Sequence, residues 1–433
     1  MRIAIVGSGI SGLTAAYLLG GRHDVTLFEA GKRLGGHTNT IEVEHGGLRH
    51  ALDTGFIVYN ERTYPNFSRL LAELDVQTQA SDMSFSVRSD RTGWEYCGSS
   101  LSGLFAQRRN VARPAFYGML RDILRFNRCA PRVLADEDDT LTLGDYVKLE
   151  RFGRAFVDHY LIPMGAAIWS APPERMREFP VRYFVQFCQN HGLLSLANRP
   201  QWRTVCGGAA RYIEAMCRRR QMDVRLASPV RRLLRRNDGV TLVSGTDRAE
   251  SFDHVIVAAH ADQAIKLLAD PSHEEREVLG AFEYQRNEAL LHTDTSTLPR
   301  RKRAWASWNY HVPATARFPV SVTYWLNRLQ RIAAPEQFCL TLNDSGTVHQ
   351  DRVLKRITYH HPLYTSHAVA AQGRWAEISG QRRTHYCGAY WGYGFHEDGV
   401  NSAMAVARFF HEGLETCTVA STRARSRTAA FTP

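Results

Sequence analysis

Arg2-Ile3-Ala4-Ile5-Val6-Gly7-Ser8-Gly9-Ile10-Ser11-Gly12-Leu13-Thr14-Ala15-Ala16-Tyr17-Leu18-Leu19, continued by Asp24-Val25-Thr26-Leu27-Phe28-Glu29, is the stretch on which the fold turns. Residues 2–6 are β-branched and apolar, and residues 13–19 are helical in propensity until Gly20-Gly21 stops them. A second strand ends at Glu29, 22 residues after Gly7. Strand, glycine turn, helix, strand and acid together make a dinucleotide site. The first glycine permits the turn, the second lets backbone approach a pyrophosphate, and the third lets helix pack on strand. Glu29 suits a ribose diol, which a 2′-phosphate would deny it. A glycine triplet alone would be weak evidence; its complete context makes it specific.

Glu29 leads into Ala30-Gly31-Lys32-Arg33-Leu34-Gly35-Gly36-His37-Thr38, a second glycine-rich loop. A nicotinamide enzyme has no need of it, whereas extended FAD needs further backbone donors. Here the chain resembles the flavin-containing amine oxidase superfamily, which includes protoporphyrinogen oxidases and carotenoid desaturases. The E-x-x-x-R-x-G-G pattern stands as Glu29, Arg33, Gly35 and Gly36, and the family's Asp-x-Gly as Asp53-Thr54-Gly55-Phe56. The family usually follows the glycine pair with arginine; this chain has His37. The resemblance returns at Val205-Cys206-Gly207-Gly208, at Val230, where the family meets adenine, and at the strand-like Phe252 to Ala258. It closes with Cys387-Gly388 and Gly394 to Val400, where a helix N-terminus at Gly399-Val400-Asn401 would face the flavin.

The resemblance implies an α/β fold: a Rossmann-type, glutathione-reductase-like FAD-binding domain with an inserted α+β substrate domain. Residues 1–60, 200–265 and 381–415 would bind FAD, 61–199 and 266–380 would hold substrate, and 416–433 would be a frayed tail. The cofactor-binding set is Gly7, Gly9, Ile10, Ser11, Gly12, Glu29, Ala30, Arg33, Gly35, Gly36, His37, Thr38, Asp53, Thr54, Gly55, Phe56, Val230, Ala258, Gly388, Gly399 and Val400. Only Cys387 falls in the closing motif, and it precedes the glycine, so FAD is expected to be noncovalent.

Composition bounds the rest. The chain has 433 residues, 44% hydrophobic and 22% charged, beyond the roughly 250–300 at which one core stops growing. A long stretch without Asp, Glu, Lys or Arg, residues 357–373, contains three histidines and a proline, and no membrane span is expected. No basic-then-apolar leader precedes Arg2, and the eight cysteines form no Cys-x-x-Cys pair, which points to a reducing cytoplasm. Net charge is +11, with only five lysines among the 54 basic residues. That is either compositional arginine usage or a cationic face for anionic headgroups at the inner side of a membrane. The arginine clusters are short and carry no nucleic-acid-binding pattern, so nucleic acid is disfavoured.

Chemistry at the substrate end is less legible. Many amine oxidases place a lysine near flavin N5, but Tyr284 to Asp294 has none, and Phe395 stands at one of the two rings that would sandwich an amine. His396, near the isoalloxazine by the closing motif, is the candidate proton carrier. Asn309 and Tyr310 are weaker candidates, read equally as satisfied core polar groups. His360, His361, His367 and His385 match no metal spacing, so no metal is expected. The phrases at His191 to Leu194, Trp305 to Tyr310 and Tyr324 to Asn327 resemble a bacterial subgroup tied to cyclopropane and methylated fatty-acyl phospholipids. That resemblance implies desaturation of an acyl chain, with peripheral contact to anionic membrane. The alternatives are an amine oxidase, a carotenoid-type polyene desaturase and a non-enzymatic flavin module.

Overall fold

The parallel pairing of the first two strands sets the frame in the computed structural model, which describes residues 1–135, 140–220, 222–245, 248–315 and 320–414. β1 (Arg2–Val6) lies between β2 (Asp24–Phe28) and β4 (His254–Val257); β3 (Asp223–Arg225) and β5 (Thr384–Tyr386) complete a five-stranded parallel sheet ordered β3-β2-β1-β4-β5. β1, β2, β4 and β5 are short and almost wholly buried, as strands covered on both faces must be, while the edge strand β3 is only half-buried. Helix α1 (Ile10–Leu19) is buried along its whole length, so it has no polar face to give water. It packs between the sheet and the final helix, α2 (His396–Phe409).

The second layer is a seven-stranded sheet. Its order in space is 353–363, 283–292, 339–342, 321–325, 308–312, 85–89 and 94–97, antiparallel except where 308–312 runs beside 85–89. Alternation along Val353–Leu363 buries Tyr359 and Leu363 and leaves Thr358 and His360 exposed. The helices Pro114–Cys129, Ile162–Trp169 and Val181–Asn190 join this sheet in one aromatic-rich core. The mixed α/β fold with its parallel dinucleotide-type sheet is as the sequence implied. Among the described residues no helix is long and apolar enough to cross a membrane. The expected tail, 416–433, lies outside the described residues.

Candidate functional site

The glycine turn is shaped by its own backbone. Gly7 has φ +104°, and a Cβ there would lie 2.8 Å from the Ala258 carbonyl oxygen. A Cβ on Gly12 would stand 1.9 Å from the Gly7 carbonyl oxygen. Gly9 differs: nothing lies within 4 Å of where its Cβ would point. That open space belongs to a cavity of about 1430 Å³ that runs from the turn deep into the second layer. Ligand pockets hold roughly 300–1,000 Å³, so this one has room for a dinucleotide and a second molecule. The glycine cradle therefore fits an FAD pyrophosphate.

Of the expected cofactor residues, Gly7, Gly9, Ile10, Ser11, Glu29, Ala30, Gly35, Gly36, His37, Thr54, Gly55, Phe56, Val230, Ala258 and Gly388 line the cavity. The others support the lining from behind. Arg33 donates from Nη1 to the Leu34 and Thr38 carbonyls and from Nη2 to the Gly36 carbonyl, holding the second glycine loop in shape rather than reaching into the cavity. Asp53 accepts from Thr40 Oγ1 (2.6 Å), Ala209 N (2.9 Å) and Gln330 Nε2 (2.9 Å), tying the start of helix Ala210–Arg219 to the strand at Leu48–Asp53. Burial pushes its carboxyl up to about 7 against those bonds. Gly12 is a packing glycine, and Thr38 Oγ1 is spent on Tyr212 and His396.

The closing motif needs a correction. The last helix begins at His396, not at Gly399: the Gly399 N–H already donates to the Phe395 carbonyl, and Asp398 Oδ2 caps the Phe395 N–H at 2.9 Å. Gly399 and Val400 are therefore inside the helix. A Cβ on Gly399 would lie 2.6 Å from Ile10 Cγ2, so this glycine serves the contact of α2 with α1. The helix start meets the cavity three residues earlier, at Gly394, Phe395 and His396.

Glu29 stands at the end of β2, where Oε2 accepts from Ser8 N (3.0 Å) and Oε1 from Gly31 N (2.7 Å), so the acid also joins the two glycine loops. His37 lines the cavity in the place where the family has arginine. Its ring stacks on Tyr359 at 5.1 Å, with His361 at 5.2 Å and His260 at 5.9 Å, and its Nε2 is buried without a partner. Burial and the neighbouring imidazoles hold His37 well below the usual histidine range; burial takes His361 down to about 4. Three imidazoles thus form a neutral wall beside the glycine turn. Among the described residues no three ligand-type groups converge as a metal site would require.

His396 is not placed to carry protons. Its ring lies against Phe56, centroids 3.6 Å apart, its Nε2 contacts Thr38 Oγ1 (2.9 Å) and Tyr212 Oη (3.3 Å), and burial lowers it to about 3. Asn309 is closed as well: its amide donates to the Ala306 and Thr323 carbonyls and its oxygen accepts from Ser86 Oγ and Ala306 N. Neither Asn309 nor Tyr310 lines the cavity; the structure puts both in the core of the second sheet.

The far end of the cavity is walled by Leu104, Leu120, Ile123, Tyr160, Met164, Ile168, Trp169, Phe187, Leu193, Trp308, Tyr324 and Leu340. Its one carboxylate, Asp82, is engaged by Arg328 (3.0 Å) and Ser307 (2.7 Å), which hold it at about 2 despite burial. Lys266 lines the opposite end, paired with Asp262 at 3.6 Å. Phe395 is stacked on Phe187 at 5.2 Å. Trp308 Nε1 is buried without a partner on this wall. His260, Tyr359, His361 and Trp308 did not stand out in the sequence as site residues; the period-two alternation that turns Tyr359 inward was the one available signal.

The flavin containing amine oxidoreductase family matches residues 10–302. Coproporphyrinogen III oxidase of Mycobacterium leprae is 28% identical over 284 residues, 61% of this chain and 60% of that protein. The chain thus spans about three-fifths of the length of the curated relatives it matches over their longest stretch. Among solved structures, cyclohexylamine oxidase from Brevibacterium oxydans IH-35A superposes with a TM-score of 0.69 at 16% identity, covering 95% of this chain and 99% of that one. A CLA-producing fatty acid isomerase from P. acnes does so with 0.68 at 16% identity, covering 94% and 98%. These two share the fold.

Proposed function

From its place among the flavin containing amine oxidoreductases, to which this chain belongs, and whose cofactor is FAD, we propose that the protein oxidises a carbon of an apolar substrate, most simply by desaturating a methyl-branched fatty acyl chain of a phospholipid. The observation that carries the reading is the single cavity joining the glycine turn to a wall of aliphatic and aromatic side chains. FAD, when bound, supplies a two-electron acceptor for hydride. The chain's residues do the rest. Gly9 and the start of α1 would present backbone N–H groups to the pyrophosphate, Glu29 would take the ribose, and the neutral His37 wall offers N–H donors without the charge of an arginine. The leucines, Tyr324, Met164 and Trp169 exclude water from the reacting carbon and hold the chain extended. Trp308 Nε1, buried without a partner on the apolar wall, is the donor we assign to orienting a polar group of the substrate.

A cationic amine has little to bind here: Asp82 is already neutralised by Arg328, and Phe395 is stacked on Phe187. We treat residues 1–60, 200–265 and 381–415 as the cofactor unit and 61–199 and 266–380 as the substrate unit. The test has two parts. The purified protein should be yellow, and expression in a host whose lipids carry methylated or cyclopropane acyl chains should yield acyl species lighter by two hydrogens. If no acyl species changes while a polyamine bleaches the flavin under anaerobic conditions, the lipid reading is wrong and an amine substrate replaces it.

A further inference from the structure

The mouth of the cavity carries a surface of unusual composition. Helix Pro114–Cys129 buries Phe116, Met119, Asp122 and Phe126 against the core, and its Leu120, Ile123 and Leu124 form part of the cavity wall. Along the opposite side, Tyr117, Arg121, Leu124 and Arg128 fall on one stripe at helical spacing, and all four are exposed. Leu124, 49% exposed, belongs both to that stripe and to the cavity wall, as does Leu196 at 71% to the facing rim. The segment leading into the helix adds Leu101 at 77% and Val111 at 56%. Leucines so exposed, beside an opening into an apolar cavity, cost free energy in water.

The charge around them is one-sided. Residues 101–135 contain seven arginines and one acid, Asp122, which is buried and takes the Gly153 N–H at 2.9 Å. Residues 179–213, which supply the facing rim, contain four arginines and no acid; Arg203 and Arg211 are paired with Glu61 and Glu214, and Arg199 is the exposed arginine beside Leu196. Arg125 and Arg113 lie against the Phe152 and Trp94 rings, whereas Arg108, Arg109, Arg121, Arg128 and Arg199 are exposed. The acidic run 136–139 follows in sequence beyond the C-terminal end of the helix and lies outside the described residues.

We propose that this rim docks the cavity mouth on an anionic lipid bilayer, with Leu101, Val111, Tyr117, Leu124 and Leu196 entering the headgroup boundary and the arginines meeting lipid phosphates. Exposed apolar side chains interleaved with arginines match that interface, and neither water nor a neutral surface satisfies both. An acyl chain would then pass from the bilayer into the cavity without crossing water. The proposal rests on the apolar-substrate reading for its purpose, but its test reads binding and not turnover.

The experiment is co-sedimentation of the holoenzyme with vesicles of phosphatidylglycerol and phosphatidylcholine, or of phosphatidylcholine alone, at low and high salt. Binding should require the anionic lipid and fall with salt. Arg121→Gln with Arg128→Gln should weaken partitioning about 30-fold, at about five-fold per arginine near the surface. Leu101→Gln with Val111→Gln should weaken it at unchanged net charge. Arg231→Gln with Arg232→Gln, an exposed pair on the strand Val230–Arg235, removes the same charge elsewhere and should leave it unchanged. Flavin content and melting temperature report whether each variant is folded. No binding, equal binding to neutral vesicles, or an equal loss in the Arg231/Arg232 variant overturns the proposal. If vesicle binding follows the expected pattern while no acyl chain is oxidised, docking stands and the substrate reading falls; if dispersed lipid is oxidised and vesicles are ignored, the reverse holds.

Discussion

Gly9 and Gly12 sit three residues apart in one turn, yet side chains placed on them should fail for different reasons. A Cβ on Gly12 would meet the Gly7 carbonyl oxygen at 1.9 Å and the Ala258 Cβ at 3.1 Å. Gly7 is itself fixed by its N–H on the Phe28 carbonyl at 2.8 Å, so relief demands that the turn or α1 move by roughly an ångström, an overpacking cost of about 3 kcal/mol. Gly12→Ala should therefore lower the melting temperature of the FAD-free protein by about 3 °C, the shift that about 3 kcal/mol produces in a chain of this length. Gly9 has φ −65° and ψ 179°, which any residue adopts, and open space beyond it. Gly9→Val should cost the FAD-free protein about 1 kcal/mol or less, the price of a poorer helix cap. Its side chain would stand where the pyrophosphate must approach. Losing one or two charge-assisted contacts, about 3 kcal/mol, weakens FAD more than a hundredfold. The assays are thermal melting after FAD removal and FAD titration followed by flavin fluorescence. If Gly9→Val binds FAD within threefold of the parent, the space at Gly9 is not the pyrophosphate seat; if Gly12→Ala melts with the parent, the packing argument is wrong.

Acid should destabilise the fold over a definite window. His191, His292 and His361 are lowered to about 4, and His385 and His396 to about 3, all by burial, so between pH 6.5 and 4 the unfolded chain binds protons at five sites that the native chain leaves neutral. Asp53 and Asp398, raised to about 7, act in the opposite direction, which leaves three protons in favour of unfolding and a slope of about 4 kcal/mol per pH unit. Stability is thus present above pH 6.5 and lost as pH falls; a melting temperature flat from pH 6.5 to 5 would show that the native histidines take up protons freely. His396→Asn, which keeps a polar group toward Thr38 and Tyr212, should lower the melting temperature while leaving the pH profile of turnover in place, because a group held near 3 has no titration to contribute at neutral pH. Disappearance of a limb of that profile would restore His396 as the proton carrier.

The dinucleotide half of the site was legible in the sequence because its chemistry is made by backbone. A turn that needs φ +104° at Gly7 and a 1.9 Å approach at Gly12 excludes other residue types, so the requirement is written into residue identity. Supporting roles were less legible. Arg33 and Asp53 fall within recognisable motifs, but their bonds run to the Gly36 carbonyl and to Ala209 N, partners whose position only the assembled loops fix. The histidine wall was hidden for the same reason. His37, His260 and His361 come from a loop, a strand exit and the edge strand of the other sheet, and nothing local to any of them announces the other two. The sequence puts the start of α2 three residues late because Gly399 looks like a glycine needed for a ligand and is a glycine needed for Ile10.

The apolar end is a different kind of inference, since its walls are ordinary core residues that happen not to meet. Leu120, Ile123 and Met164 would be equally at home in a filled interior, and their spacing says helix and nothing more. What distinguishes them is the combination of space and silence: they border a cavity whose carboxylate there, Asp82, is spoken for, and whose buried donors without a partner, the Trp308 indole and the Tyr364 hydroxyl, carry no charge. An enzyme built for a cation would have to leave a charge or a pair of facing rings free at that end, because desolvating an ammonium without a partner is prohibitive. The carboxylate on this wall is paired with Arg328 and Phe395 is stacked on Phe187, while leucines continue from the cavity out onto the exposed face of helix Pro114–Cys129. A substrate that is itself apolar, and that arrives from an apolar phase, accounts for both the inside and the rim of the cavity with the same side chains.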